Sequence, residues 1–583
     1  TRLAATLDVA IDRLERARPF AKTRHQRPVL DVVARLLAVP GGPEALLARA
    51  PRMDAAGLFA GSDWDTPTVL LPQLSGQTLT GEDRYLAALE AASLMRFLAV
   101  ATGDATHPGL QREYAEHFLT QVMALNLPRF FAFSDEASRA EGERPAIASR
   151  LLRFIADRVG LRDVLGVLVA EIWRILEQRP VQMAPVKEMI TQIAIALNRQ
   201  GSEPGAERLG AERLVSALFG PTAETLDDPG LDAYRARLET LDDGALGREA
   251  TGFARSMHDT GLVSDYHAAF LLWALDYHDR PLVPDALGLG STGLDCWRHY
   301  RRLVSELIRA AVTPATAQAV YGVALTMERG VMHAPPIAPA LERLLSLEPT
   351  DAVSARIAQA FGETAPPRTH LLAGVLQVVG LPLGVGQGAN PTCQSARAIS
   401  MWALNDPDYL LNLVVQAAEA ETLLMFFEGT PIDSAGQPAG LAGFGPIDAD
   451  PVSVLLVPHL DRIYARMGRL CAERTGDDPH RWINPEFHGW WVARDCAVAV
   501  DVGTGLLHDY DRFVARFHES YHPHHNGARP LIHPQPAGIA FTDATGTFIG
   551  WHAITILRVA QGRSGEMRVY FYNPNNDSRS EEH

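Results

Sequence analysis

Cysteine is scarce in this chain: 583 residues hold four, Cys296, Cys393, Cys471 and Cys496. So few cannot make the disulfide framework of a small secreted domain. No CxxC pair occurs, which argues against a structural zinc site built on thiolates. Positive charge is in deficit too, with 53 Lys and Arg against 69 Asp and Glu and a formal net charge of -16. Phosphate backbones and anionic lipid repel such a chain, so neither nucleic acid nor a membrane surface is an expected partner. Thr1 to Glu15 reads as an amphipathic helix rather than as a charged-then-apolar leader. The expected setting is cytoplasmic and reducing, or secretion into a host cell as an effector. A single uncharged run, Leu371 to Ala389, is long enough on paper to span a bilayer. It contains Pro382 and the glycines Gly374, Gly380, Gly384, Gly386 and Gly388, so it reads as a buried helix or strand that breaks into a glycine loop.

What is present is an ordinary globular balance, 47% hydrophobic and 21% charged, enough for a sizeable core. From Thr1 to about Pro367 apolar residues recur at three- and four-residue spacing, as in LDVVARLLAV and VKEMITQIAIAL. β-like alternation is scarce there and no fixed-period repeat emerges. The expectation for 1–367 is a mainly α, solenoid-like domain or two helical subdomains. The proline joint Glu363 to Arg368 marks the expected boundary. Beyond it, helices are expected near Cys393 to Leu404, Tyr409 to Glu428 and Ser453 to Glu473, with a glycine- and proline-rich loop through the 430s and 440s. The period then changes. GIAFTD, TFIGWHAITILRV and EMRVYFYN are β-like runs separated by the turns ATG and AQGRSG, an antiparallel meander. Residues 368–583 therefore read as an α+β domain, helices first and sheet last.

A cysteine nucleophile needs a favoured thiolate, a base within hydrogen-bond reach and donors for an oxyanion. Cys393 falls at the expected first turn of a helix, after a glycine loop, with Thr392 or Asn390 as cap, where the helix dipole favours an anion. Gln387, six residues earlier on that loop, is a candidate oxyanion donor beside the Cys393 N–H. His552 lies in GWHAITILRV, and the next strand ends at Asn573-Pro574. Paired positions in a hairpin have a constant sum. Setting His552 opposite Asn573 centres the turn at 562.5, inside AQGRSGE, so the register brings a carboxamide to the imidazole. That amide would orient the ring with one nitrogen toward the thiol. Cys296, Cys471 and Cys496 sit in helical or apolar contexts and read as small buried hydrophobes.

Gln387-Gly388, Cys393 at a helix start, His552-Ala553 in a strand and Asn573 closing the next strand resemble the papain-like cysteine peptidase superfamily in order and in the Gln-to-Cys step. Asn573-Pro574 is similar to the Asp-Pro of transglutaminase-like and related bacterial peptidases. The resemblance spans roughly residues 371–576. The chain reads Thr392-Cys393-Gln394-Ser395 where papains carry Cys-Gly-Ser-Cys-Trp, so a distant branch is implied. The resemblance implies a papain-like fold for the C-terminal domain and a Cys393–His552–Asn573 triad with Gln387 at the oxyanion. It implies a protein or peptide substrate, and no cofactor. Transglutaminase or deamidase chemistry would use the same triad. The helical region would bind a protein substrate or partner, or cover the cleft.

Two other readings stand beside it. His518-Glu519-Ser520-Tyr521-His522 fits H-E-x-x-H, a zinc hydrolase helix with Glu519 as base. Pro523 follows directly and pushes His522 out of the α region, and His524, His525 and His533 crowd the adjoining loop. The third reading is a non-enzymatic helical scaffold. Trp490 and Trp491 read as core or rim aromatics.

Overall fold

The structure is a computed structural model. It describes residues 2–574 except 82, 127–142, 160, 200–205, 278–280, 389, 443–448, 475–477, 495, 502–503, 523, 526–533, 543–547 and 563. The protein is mainly helical, with a two-stranded hairpin and a three-stranded antiparallel sheet toward the C-terminal end.

Packing divides the chain into two compact units, Thr1–Ile172 with Val186–Arg213, and Trp173–Pro185 with Leu214–His583. The first unit is helical throughout its described residues. Its helix Arg84–Ala101 is capped by the Asp83 carboxylate, which accepts from the Tyr85 and Leu86 N–H groups. From Ala88 to Ala101 that helix is buried on every face, which marks it as the unit's centre.

The division differs from the joint expected at 367/368, which lies inside the second unit. A single apolar core runs from Val181 to Val492. The physical reason is backbone contact. The helix Pro367–Gly380 lies against the helix Ala319–Glu328 so closely that a Cβ on Gly322 would sit 2.7 Å from the Gln377 nitrogen. Gly322→Ala is expected to destabilise this unit by about 1–3 kcal/mol, because both sides of the contact are backbone and neither can rotate away. A lower urea midpoint at unchanged slope is the check.

The run Leu371–Ala389 becomes the buried part of that helix followed by a 3-10 turn at Pro382–Gly384. No helix among the described residues is long and apolar enough to cross a membrane. The helix Cys393–Asn405 follows the loop, and Pro451–Cys471 is capped by Asp450. The expected helix Tyr409–Glu428 is shorter and becomes Pro407–Ala420. Glu421 turns left-handed at φ 52 and ends it. Strand β1, Leu424–Phe427, then pairs with β2, Thr430–Asp433, across Glu428 and Gly429, both at positive φ. Two central residues at positive φ give a tight hairpin turn, and this chemistry overrides the helical pattern. Residues 443–448 of the expected loop lie outside the described residues.

The meander forms as β3 (Gln535–Thr542), β4 (Phe548–Gln561) and β5 (Met567–Tyr572), in the order β3-β4-β5. Its first turn, ATG, lies outside the described residues. Trp491 is buried and Trp490 is exposed.

Candidate active site

The Cys393–Asn405 helix is buried on all sides from Ser395 to Ala403. A helix so enclosed holds its first residue rigidly. Thr392 occupies the cap position, but its hydroxyl takes up no helix N–H, and the Asn390 amide turns back to the Gln387 carbonyl at 2.7 Å. Thr392 does not cap as the sequence suggested.

Across from this helix, β4 presents His552 and Ala553. The Cys393 thiol is hydrogen-bonded to the His552 ring and accepts from the Ala553 N–H. Burial pushes the thiol up. The His552 bond, the Ala553 N–H and the charges of His552 and Arg397 outweigh it and hold the thiol below its ordinary value. Cys296 and Cys471 differ, and Cys496, expected as a buried hydrophobe, is only partly buried and lines the cavity described below. Burial pushes Cys296 up to about 11 and raises Cys471.

His552 Nε2 lies 2.7 Å from Asn573 Oδ1. An amide oxygen only accepts, so Nε2 carries the hydrogen and Nδ1 is the nitrogen left for the thiol. The pairing is reached by a register different from the one expected. Gln561 faces Met567 around a loop closed by Gly562 N–H to Glu566 O at 2.7 Å, so the turn centres near Ser564, not between Gly562 and Arg563. A bulge between Ile556 and Arg558 then shifts the count by one, and Thr555 faces Tyr572. One step further places Asn573 beside Ile554 and one diagonal from His552, on the same face. Without the extra residue, Leu557, in β4, Asn573 would face Thr555 and point to the opposite side from His552.

Gln387 is tied to the same corner through its backbone: its N–H donates to the Pro574 carbonyl at 2.9 Å, and its buried side-chain Oε1 has no hydrogen-bond partner among the described residues. The Tyr572 hydroxyl donates to the Val385 carbonyl at 2.5 Å. The end of β5 and the glycine loop are thus fastened together on either side of Asn573.

A cavity of about 640 Å³ opens beside the pair, with His552, Trp551, Gln394, Arg397, His480 and Phe517 among its walls. All of these but His552 were missed from sequence. Arg397 stands one turn after Cys393 and is buried. A lone cation in the apolar run ARAISMWAL was a readable signal of a buried polar role. His480 is held by Asp478, Oδ1 to Nδ1 at 2.5 Å, and Gln394 joins it to Arg397. Nothing local in the sequence announced that pairing.

The H-E-x-x-H segment does not form one continuous helical face. The helix Tyr510–Tyr521 stops before His522, which is extended at φ -72, ψ 125. The His518 and His522 rings stack at 5.5 Å between centroids. Among the described residues no group of three His, Cys, Asp or Glu side chains is placed to hold a metal. Pro523 and His533 lie outside the described residues. Compared with family models, curated proteins and solved structures, the chain matches none.

Proposed function

We propose that this protein is a thiol-dependent acyl-transfer enzyme, a cysteine peptidase or amidase acting on a protein or peptide amide. The observation that carries the reading is the unbroken chain of contacts from the Cys393 thiol through the His552 ring to the Asn573 amide. In this reading the Cys393 sulfur attacks the carbonyl carbon. The C–S bond forms as an electron pair moves onto oxygen, which the Cys393 N–H and the Gln387 amide hold. His552 passes the thiol's proton to the leaving nitrogen, the C–N bond breaks and a thioester remains. Water completes a hydrolysis, and an amine completes a transfer of the transglutaminase type. Asn573 keeps the imidazole aimed. The unit that contains Leu214–His583 supplies this papain-like chemistry, and helices ahead of Cys393 bind a protein substrate or partner.

Alkylation by iodoacetamide, mapped by mass spectrometry across pH, tests it. The thiolate is the reactive form, and a lowered thiol pKa makes it available at lower pH. At pH 6 an ordinary thiol is under about 1% ionised. Cys393 is expected to label there at least about tenfold faster than Cys496, and Cys393→Ala to remove the fast phase. A Cys393 profile with a midpoint at or above about 8.5 would defeat the reading.

A further inference from the structure

Two imidazoles, not one, line the cavity beside Cys393: His552 and His480. They are held differently. His552 leans on an amide, Asn573. His480 leans on a carboxylate, with Asp478 Oδ1 2.5 Å from its Nδ1 and 2.9 Å from its own backbone N–H. A carboxylate accepts only, so the hydrogen is on Nδ1 and Nε2 keeps its lone pair. The neighbouring amide agrees with that tautomer. Gln394 Oε1 accepts from the Arg397 guanidinium, which turns Gln394 Nε2 toward His480 Nε2 at 3.4 Å. That is a loose donor-to-lone-pair contact which an acceptor molecule can replace. Gln394 is also the residue that follows Cys393, and it lines the same cavity as His480 and His552.

The two partners give the imidazoles different chemistry. Asp478 engages His480 through Nδ1 and leaves Nε2 with its lone pair toward the cavity, whereas Asn573 engages the Nε2 of His552. His552, whose ring nitrogen is already engaged by the sulfur, suits proton exchange with the thiol. We propose that His480, oriented by Asp478, is the base for the second half of the reaction and activates the acceptor that attacks the thioester. This rests on the Cys393–His552–Asn573 reading above.

The step balances as follows. Water, or a primary amine, gives a proton to His480 Nε2 as its oxygen or nitrogen bonds to the acyl carbon. The tetrahedral centre collapses, the C–S bond breaks and its electron pair leaves on the Cys393 sulfur. A carboxylic acid or amide departs, and the proton on His480 returns through solvent to the Cys393–His552 pair, which restores the starting state. The substrate class that follows is an acyl donor whose acceptor enters from the His480 side of the cavity.

A p-nitrophenyl ester separates the two halves, because its first step releases colour before the thioester is resolved. Full-length wild type is expected to show a burst near one equivalent and then slower turnover. His480→Gln and Asp478→Asn should keep burst rate and amplitude within about twofold, while steady turnover falls by about 10²-fold. Imidazole added to His480→Ala should restore part of the turnover. Unchanged steady turnover in all three variants overturns the proposal and leaves the triad standing. A burst and turnover that fall in parallel also overturn it, since His480 would then serve acylation or structure. A wild type that never acylates at Cys393 removes the triad reading and this inference with it.

Discussion

A chain carrying Arg397→Met should lose about 3–5 kcal/mol of stability in its second unit, the largest loss expected from any single side chain near the site. The guanidinium is buried and, among the described residues, no carboxylate pairs with it. It is held by neutral acceptors. It donates to the Ala537 carbonyl of β3 at 3.0 Å, the Ile554 carbonyl of β4 at 3.4 Å, Asn484 Oδ1 at 3.1 Å and Gln394 Oε1, and it lies 3.1 Å from His488 Nε2. Burial holds His488 well below its ordinary pKa, so that ring is neutral and accepts. Methionine fills much of the space and removes the buried charge, which by itself is favourable. The carbonyls and side chains it leaves cannot be removed with it, and each unsatisfied buried acceptor costs about 1–3 kcal/mol. Urea unfolding of the variant decides the sum, and a loss under about 1 kcal/mol would mean that these acceptors find other donors. The same substitution deletes a positive charge felt by Cys393. Its thiol should therefore ionise at higher pH than in wild type, and alkylation at neutral pH should slow.

His552→Ala has the largest expected effect on chemistry, a fall of about 10²–10⁴-fold in turnover of an amide or activated ester. Two of the four influences that lower the Cys393 pKa come from this ring, its hydrogen bond and its charge. Removing both leaves burial opposed only by the Ala553 N–H and the more distant Arg397. The thiol is then expected to rise to or above its ordinary value, so the reactive fraction at pH 7 drops along with the base. Asn573→Ala keeps the ring and should cost less, showing chiefly as a lower rate at unchanged thiol pKa. A His552→Ala protein with wild-type turnover would show that the imidazole is structural.

Much of this site could be read in the sequence, because two of its parts are local. The first turn of the Cys393 helix follows from a glycine loop running into an amphipathic stretch. Hairpin counting brought Asn573 to the His552 side, and it did so with two compensating errors. The turn centre was misplaced because the Gly562-to-Glu566 closure was not anticipated, and the Leu557 bulge was unseen. Odd and even determine the face, so the face survived while the exact partner did not. The reach of Arg397 into β3 and β4 and the meeting of Gln394 with His480 depend on packing between segments more than 80 residues apart in sequence, which no spacing rule encodes. The helix ending at Glu421 was missed because its pattern runs on past a residue that must turn left-handed. The packing boundary was missed because a proline joint looks the same whether or not the helices beside it are in backbone contact.

The fastening of β5 to the glycine loop has a consequence for the order in which the protein is made. Cys393 precedes Asn573 by 180 residues. At a synthesis rate of about 5–20 residues per second, Cys393 exists for roughly 9–36 s before Asn573. During that interval the glycine loop has neither the Pro574 carbonyl nor the Tyr572 hydroxyl to hold it, and Cys393 has no imidazole partner from β4. On the proposed reading, the contacts that lower the Cys393 thiol's pKa are complete only once β4 and the segment through Pro574 have been made.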